Sequence, residues 1–242
     1  AQARAEVTQR RRDLALLAMS RGLRIGAAGT HPISSWEDQA ITPDQRYTQV
    51  VEDLQMVARA NLVFGLHVHV GIENRGTAIE IMNGARYVIP HLLALSANSP
   101  FWTNRRTGLK SYRVKVFDKF PRTGIPEYFS SEAEFQRFVD LLVATRSIDD
   151  GSMIWWDIRP HPHFNTLEFR ICDMPMRIDE TIALAALVQA IVAKIWMLRS
   201  RNVGFRQYRR DLLMENKWRA SRYGIEGTMI DQSISQFLQS GL

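Results

Sequence analysis

The amino-acid sequence predicts an α+β fold, with helices packed on the apolar face of an antiparallel sheet. Two observations carry this expectation. Three short stretches, 66–70, 155–159 and 167–171, alternate polar and apolar residues with period two, as half-buried strands do. Segments with helical spacing fall irregularly between them, without the regular strand–helix alternation of a parallel sheet. A chain of 242 residues with 45% hydrophobic content can bury a sizeable core, and no linker, repeat or low-complexity tract divides it. It is expected to form one domain over 1–242.

In order along the chain, residues 5–20 have apolar spacing suited to a helix, and 21–29 read as a short strand running into a glycine-rich turn. Thr42, Pro43 and Gln45 predict a helix start, with threonine as N-cap, and the apolar spacing that follows carries the helix to about residue 62. In FGLHVHVG, Leu66, Val68 and Val70 point one way and His67 and His69 the other. Thr77 and Glu80 predict a capping box opening a helix that Pro90 bends or ends. Residues 101–128 read as a long ordered loop with short strands, and 130–147 as a capped helix. WWDIRP and TLEFRICD are strands. TIALAALVQAIVAKIWML (181–198) is near the length of a membrane span. Gln189 and Lys194 interrupt it and Asp179 and Glu180 stand at its start, so it reads as a buried core helix. A basic helical region follows.

The formal charge of +6 and pI of about 9.8 suggest an anionic partner. The basic residues are dispersed and lack aromatics interleaved on one basic face, which argues against nucleic acid. No signal peptide or membrane span is read. A single cysteine excludes an intrachain disulfide and favours a reducing, cytoplasmic setting. Cys172 has no histidine base near it in sequence, which argues against a nucleophilic role.

The chemistry is concentrated on the polar faces of the three strands. His67 and His69, then Glu168 and Arg170, then Asp157 and Arg159 each face away from the apolar side. Imidazole with carboxylate suits a divalent cation, and arginine suits phosphate or carboxylate through bidentate pairing. Together they are the equipment for holding a nucleoside triphosphate during phosphoryl transfer. Pro160-His161-Pro162-His163 resembles a second metal motif, but its prolines favour an extended structural turn.

The stretches GTHP (29–32), RY (46–47), FGLHVHVG (64–71), LLALSANSPFW (92–102), TGLKSYR (107–113), WWDIRPHPHFNTLEFRICD and RYGIEG (222–227) occur in that order. Together they closely resemble the carboxylate–amine ligases, also called type 2 glutamate–cysteine ligases, over nearly the whole chain. That family is similar in fold to glutamine synthetase, with a curved antiparallel sheet whose concave face holds ATP, divalent cations and an amino acid. The resemblance implies an ATP-dependent ligase that forms an amide through an acyl phosphate, with Mg²⁺ or Mn²⁺ as cofactor. Glutamate or a related acid and cysteine or another amine would be its substrates, and a homodimer is the oligomer expected by base rate. It implies His67, Glu168 and His69 as metal ligands, with His69 also a nucleotide contact. Arg170 would be on the transferred phosphoryl group. Arg113, with Asn98 and Ser99, would be on the amino-acid carboxylate, and Arg159 would be a second anion contact. Family members begin with a strand bearing closely spaced glutamates that complete the metal cluster. No such stretch occurs here, and the end (QSISQFLQSGL) looks abbreviated, so a longer natural chain is expected.

The rival from another class is a cupin-like metal-dependent oxygenase or metal-binding protein using His67, His69 and Glu73. It requires a further strand where the sequence predicts a helix.

Overall fold

The structure, a computed structural model, describes residues 2–231. In chain order it runs through α1 (Gln2–Met19), α2 (Gln45–Leu54), α3 (Met56–Arg59), β1 (Gly65–Gly71), α4 (Arg75–Ala85), α5 (Ile89–Ser96), β2 (Phe101–Trp102) and β3 (Arg105–Arg106). It continues with α6 (Arg113–Phe117), α7 (Glu132–Ala144), β4 (Ile158–Pro160), β5 (Thr166–Asp173), α8 (Ile178–Ser200) and α9 (Arg210–Tyr223). Mixed helix and antiparallel sheet is therefore the observed class, as the alternating stretches predict.

The three-stranded sheet has the order β1-β5-β4, antiparallel throughout. β5 is central, and its sequence shows why. Leu167, Phe169, Ile171 and Cys172 are buried with almost no exposure, as a strand covered by neighbours requires. β1 alternates as read from its sequence, with Leu66, Val68 and Val70 packed on the core and His67 and His69 exposed. Helices α4, α5 and α8 close the apolar face, bringing Ile79, Met82, Leu92, Leu93 and Val188 against Phe169 and Ile171. Each such side chain contributes about 1.5–3 kcal/mol of burial free energy.

Several local expectations are corrected. Residues 21–29 form no strand, because the chain facing them begins to pair only at the single Thr30–Val63 bridge. Leu23 and Ile25 are left exposed. The helix expected over 43–62 starts at Gln45, since the Asp44 carbonyl accepts the first helical bond, from Thr48 N at 3.0 Å. It then breaks at Gln55, whose φ of 50° lies in the left-handed region. The cap of α4 is Asn74, which accepts from Thr77 N at 2.8 Å, one turn earlier than Thr77 itself. Pro90 neither bends nor ends that helix. A short 3₁₀ turn, Arg86–Val88, intervenes, and Pro90 stands in the first turn of α5, where a missing N–H costs nothing. β4 keeps only Ile158–Pro160 of the WWDIRP stretch, so Trp155 and Asp157 precede it.

The helix read as buried core is α8, and it is buried along one stripe only. Thr181, Leu184, Val188, Val192 and Ile195 face inward, while Leu187, Trp196 and Met197 are exposed. It is long and apolar enough to cross a membrane by length and composition. The predicted cap of α7 is found as read: Ser131 accepts from Glu134 N, and Glu134 accepts in return from Ser130 N. The QSISQFLQSGL segment lies outside the described residues.

Candidate functional site

Register on the sheet assembles the site. His69 stands opposite Glu168, and Glu168 opposite Arg159, so the three side chains form one row across β1, β5 and β4. The β1–β5 register is irregular between Leu66 and Val68. His67 lies at that irregularity, and its ring turns toward the same row. Its Nδ1 is 3.2 Å from Glu168 Oε1, and His69 Nε2 is 3.7 Å from the same oxygen.

Glu168 is only 2% exposed and is held from both sides. Arg159 Nε donates to Oε2 at 2.8 Å and Arg170 NH1 donates to Oε1 at 2.6 Å. Burial alone would raise its pKa. The His67 hydrogen bond and the guanidinium groups of Arg170 and Arg159 outweigh burial and hold the carboxyl well below the usual range. The His67 pKa is shifted down, first by burial, which favours its neutral form. His69 Nδ1 lies 3.0 Å from the Thr166 hydroxyl, which orients its ring. With one carboxylate against two guanidinium groups, the row has spare positive charge and suits an anion.

Arg170 connects this row to a cleft of about 1490 Å³. Residues 39–62 form one wall, and the other includes Phe117, Phe120 and Trp155 beside Arg122. Phe117 and Phe120 stack at 5.5 Å, and Arg122 lies 5.3 Å from the Trp155 ring. Arg170 itself stands 6.0 Å from the Phe117 ring, with Nε buried and without a partner.

The residues expected on the amino-acid carboxylate gather elsewhere, around Asp173 at the far end of β5. Asp173 is wholly buried and accepts from Asn98 N at 2.8 Å, Ser99 Oγ at 2.6 Å and Ser111 Oγ at 3.0 Å. Burial raises its pKa, and Arg113 beside it opposes that rise. Arg113 donates to the carbonyls of Ile171 at 3.0 Å and Arg170 at 2.9 Å, which leaves only its buried Nε without a partner. Two glycines of the quoted motifs make room for this node. A Cβ on Gly65 would lie 2.3 Å from Arg113 NH2, and one on Gly29 would lie 2.7 Å from Asp173 Cγ. Arg159 is likewise committed, donating to the carbonyls of Ser152 and Ile154 as well as to Glu168.

The metal expectation needs qualification in the same terms. His67, His69 and Glu168 share a face, but both carboxylate oxygens are engaged by arginines. Among the described residues no group of three or more His, Cys, Asp or Glu side chains is arranged to hold a metal ion. On their own, these residues do not make up a metal site. The cupin-like triad fails too: Glu73 accepts from the Thr77 hydroxyl at 3.1 Å, and the chain then enters α4 instead of another strand. Cys172 is buried, which pushes its thiol up to about 11, so it is no nucleophile near neutral pH.

Sequence reasoning missed one buried network. Lys217 of α9 is 2% exposed, 3.0 Å from Asp118 Oδ1 and 2.9 Å from Asp157 Oδ2. Asp157 in turn accepts from Arg170 N through its backbone carbonyl at 2.8 Å. A lysine at helical spacing between the buried Leu213 and Ala220 was the available signal.

A family model described as glutamate–cysteine ligase family 2 matches residues 1–239. Among curated proteins, the chain is 61% identical over 230 residues to one from Solibacter usitatus, covering 95% of this chain and 60% of the relative. A protein of Sorangium cellulosum is 59% identical over 95% of this chain and 61% of its own length. One of Roseiflexus castenholzii is 58% identical with the same coverage. All three are named, provisionally, as glutamate–cysteine ligase 2. The chain thus spans about 60% of the length of these relatives.

Proposed function

The chain belongs to the glutamate–cysteine ligase family 2, and from that premise we propose that it carries the phosphoryl-transfer centre of an ATP-dependent carboxylate–amine ligase. The acid is glutamate or a close relative, and the amine is cysteine or another amino compound. The observation that carries the reading is the row His69–Glu168–Arg159, with His67 and Arg170 converging on one Glu168 oxygen beside an open cleft.

A bare carboxylate resists an amine because it is anionic and its oxygen leaves poorly. In the proposed reaction a carboxylate oxygen of the acid attacks the γ-phosphorus of ATP and ADP departs. The amine nitrogen then attacks the acyl carbon, and phosphate leaves carrying that oxygen. Arg170 binds the transferred phosphoryl group, since its charge adjoins the cleft. Glu168 and Arg159 keep Arg170 and His67 in place, and His69 contacts the nucleotide. Arg113, with Asn98 and Ser99, supports the acid-binding end by holding Asp173 and the β5 backbone in place. A divalent cation, Mg²⁺ or Mn²⁺, belongs to the reading as a cofactor of the family. His67, His69 and Glu168 do not by themselves complete a site for it.

The test is ADP release by the full natural protein with Mg²⁺ and ATP, with glutamate present and cysteine added or withheld. Release that requires both amino acids is expected. Release independent of any amino acid, or none with any pair, would overturn the ligase reading.

A further inference from the structure

One buried lysine takes no part in the proposed chemistry. Lys217 of α9 is 2% exposed, with its Nζ between two carboxylates, 3.0 Å from Asp118 Oδ1 and 2.9 Å from Asp157 Oδ2. Those carboxylates belong to two segments of the cleft's aromatic wall. Asp118 is the C-cap of α6, directly after Phe117. Asp157 stands just ahead of β4, two residues after Trp155, and its backbone is bonded on both sides. Its N–H donates to Gly124 O at 2.9 Å, and its carbonyl accepts from Arg170 N at 2.8 Å. Lys217 therefore ties the end of α6, the run into β4 and the Arg170 backbone to one point on a helix.

The same helix holds the other end of β5. One turn beyond Lys217, the Ser221 carbonyl accepts from Lys110 N at 2.8 Å and Ser111 N at 3.0 Å. Ser111 Oγ in turn donates to Asp173 Oδ1 at 3.0 Å. Stability alone does not account for the charged triad. Desolvating an ammonium and a carboxylate costs about what their attraction returns, so an apolar side chain among neutral partners would serve at least as well. What the triad adds is direction, because an ammonium between two carboxylates fixes both of them relative to α9. The Arg170 guanidinium depends on that placement. Its NH1 reaches Glu168 Oε1 at 2.6 Å, and its Cζ stands 6.0 Å from the Phe117 ring. Both its backbone and that ring are set by the residues that Lys217 holds.

We infer that Lys217 is a positioning residue for Arg170. Through Asp157 it sets the backbone from which that guanidinium reaches the transferred phosphoryl group, and through Asp118 it sets the Phe117 ring beside it. The inference rests on the ligase reading for what Arg170 binds, and only for that. Phosphoryl transfer is sensitive to such placement, since a shift of about 1 Å in a group that orients the reactants costs about 100-fold in rate.

The experiment compares wild type, Lys217→Met and the triple variant Lys217→Met, Asp118→Asn, Asp157→Asn in the full natural protein. The core truncation Val192→Ala on α8 controls for lost stability. ADP release with glutamate and cysteine is followed at a temperature where each variant is folded, together with hydrogen exchange of the Arg170 amide. Lys217→Met and the triple variant should both lose about 10- to 100-fold in kcat. Their KM values for ATP and glutamate should stay near wild type, and Val192→Ala should keep its kcat. In the triple variant the Arg170 amide should exchange faster than in wild type although Tm is largely recovered. Wild-type kcat in the triple variant overturns the inference, as does a loss in Lys217→Met confined to KM. If Lys217→Met does not fold, the triple variant carries both readouts. Wild-type protein that forms no amide defeats the ligase reading, and Arg170 exchange still decides the positioning role: equal exchange in wild type and triple variant overturns it.

Discussion

Glu168→Gln lowers turnover by about 100-fold or more and costs the fold about 2–4 kcal/mol. Both effects come from one cause. The carboxylate is nearly inaccessible and its two oxygens separately hold Arg159 and Arg170, with His67 on the second of them. Glutamine keeps the shape but removes the charge, and one of its two terminal atoms becomes a donor facing a guanidinium N–H. Arg159, 6% exposed, is then left buried without a charged partner. The pH dependence checks the electrostatic origin. Because the folded-state pKa of Glu168 is depressed, its contribution is present above the unfolded value of about 4.3 and is lost as pH falls toward the folded one. Denaturant midpoints of wild type and Glu168→Gln should differ most from neutrality down to about pH 5, and the gap should begin to close only below about pH 4, narrowing as pH falls toward the folded-state pKa. A constant gap down to the acid limit would mean that lost packing, not charge, is responsible.

Lys217→Met destabilises the protein by about 3–5 kcal/mol, because it leaves Asp157 buried and without its cation and leaves Asp118 with only the half-buried Lys115. Burial lowers the lysine pKa, but Asp157 and Asp118 outweigh that and leave it raised. Its contribution is then fully present below the unfolded value of about 10.4 and is lost as pH rises through the folded pKa. The stability gap between wild type and Lys217→Met should be flat from neutrality to about pH 10 and shrink above it. Adding Asp157→Asn and Asp118→Asn to Lys217→Met should recover much of the loss, since a buried pair replaced on both sides is far less costly than one broken. Failure of the triple variant to recover would place the lysine's value in packing instead. This network holds Asp157, whose carbonyl positions Arg170 N, so activity should fall with stability.

The parts of this fold that were legible in the sequence are those set by short-range pattern. Period-two alternation identified β1 and β5 and the face on which His67, His69, Glu168 and Arg170 lie, because a pleated strand permits no other arrangement. The capped helix read over 130–147 is α7, whose start Ser131 and Glu134 fix through chemistry that acts within one turn. What depends on distant neighbours was not legible. Residues 21–29 have a strand's composition but no partner to pair with along most of their length. Arg113 and Arg159 read as free anion binders, yet both are buried, with Arg113 donating to two backbone carbonyls and Arg159 to two more and to Glu168. No local rule distinguishes an arginine that will be buried from one that will meet a ligand.

In the proposed reaction the Glu168 row promotes attack of a carboxylate oxygen on the γ-phosphate. The most direct test supplies the full natural protein with ATP, the amine and glutamate labelled with ¹⁸O in its side-chain carboxylate, then analyses the released phosphate by mass spectrometry. An acyl-phosphate route moves one labelled oxygen into each phosphate formed, and Glu168→Gln should abolish that transfer. Unlabelled phosphate released together with amide product would contradict it, since the acid would then have been activated without its oxygen ever meeting phosphorus.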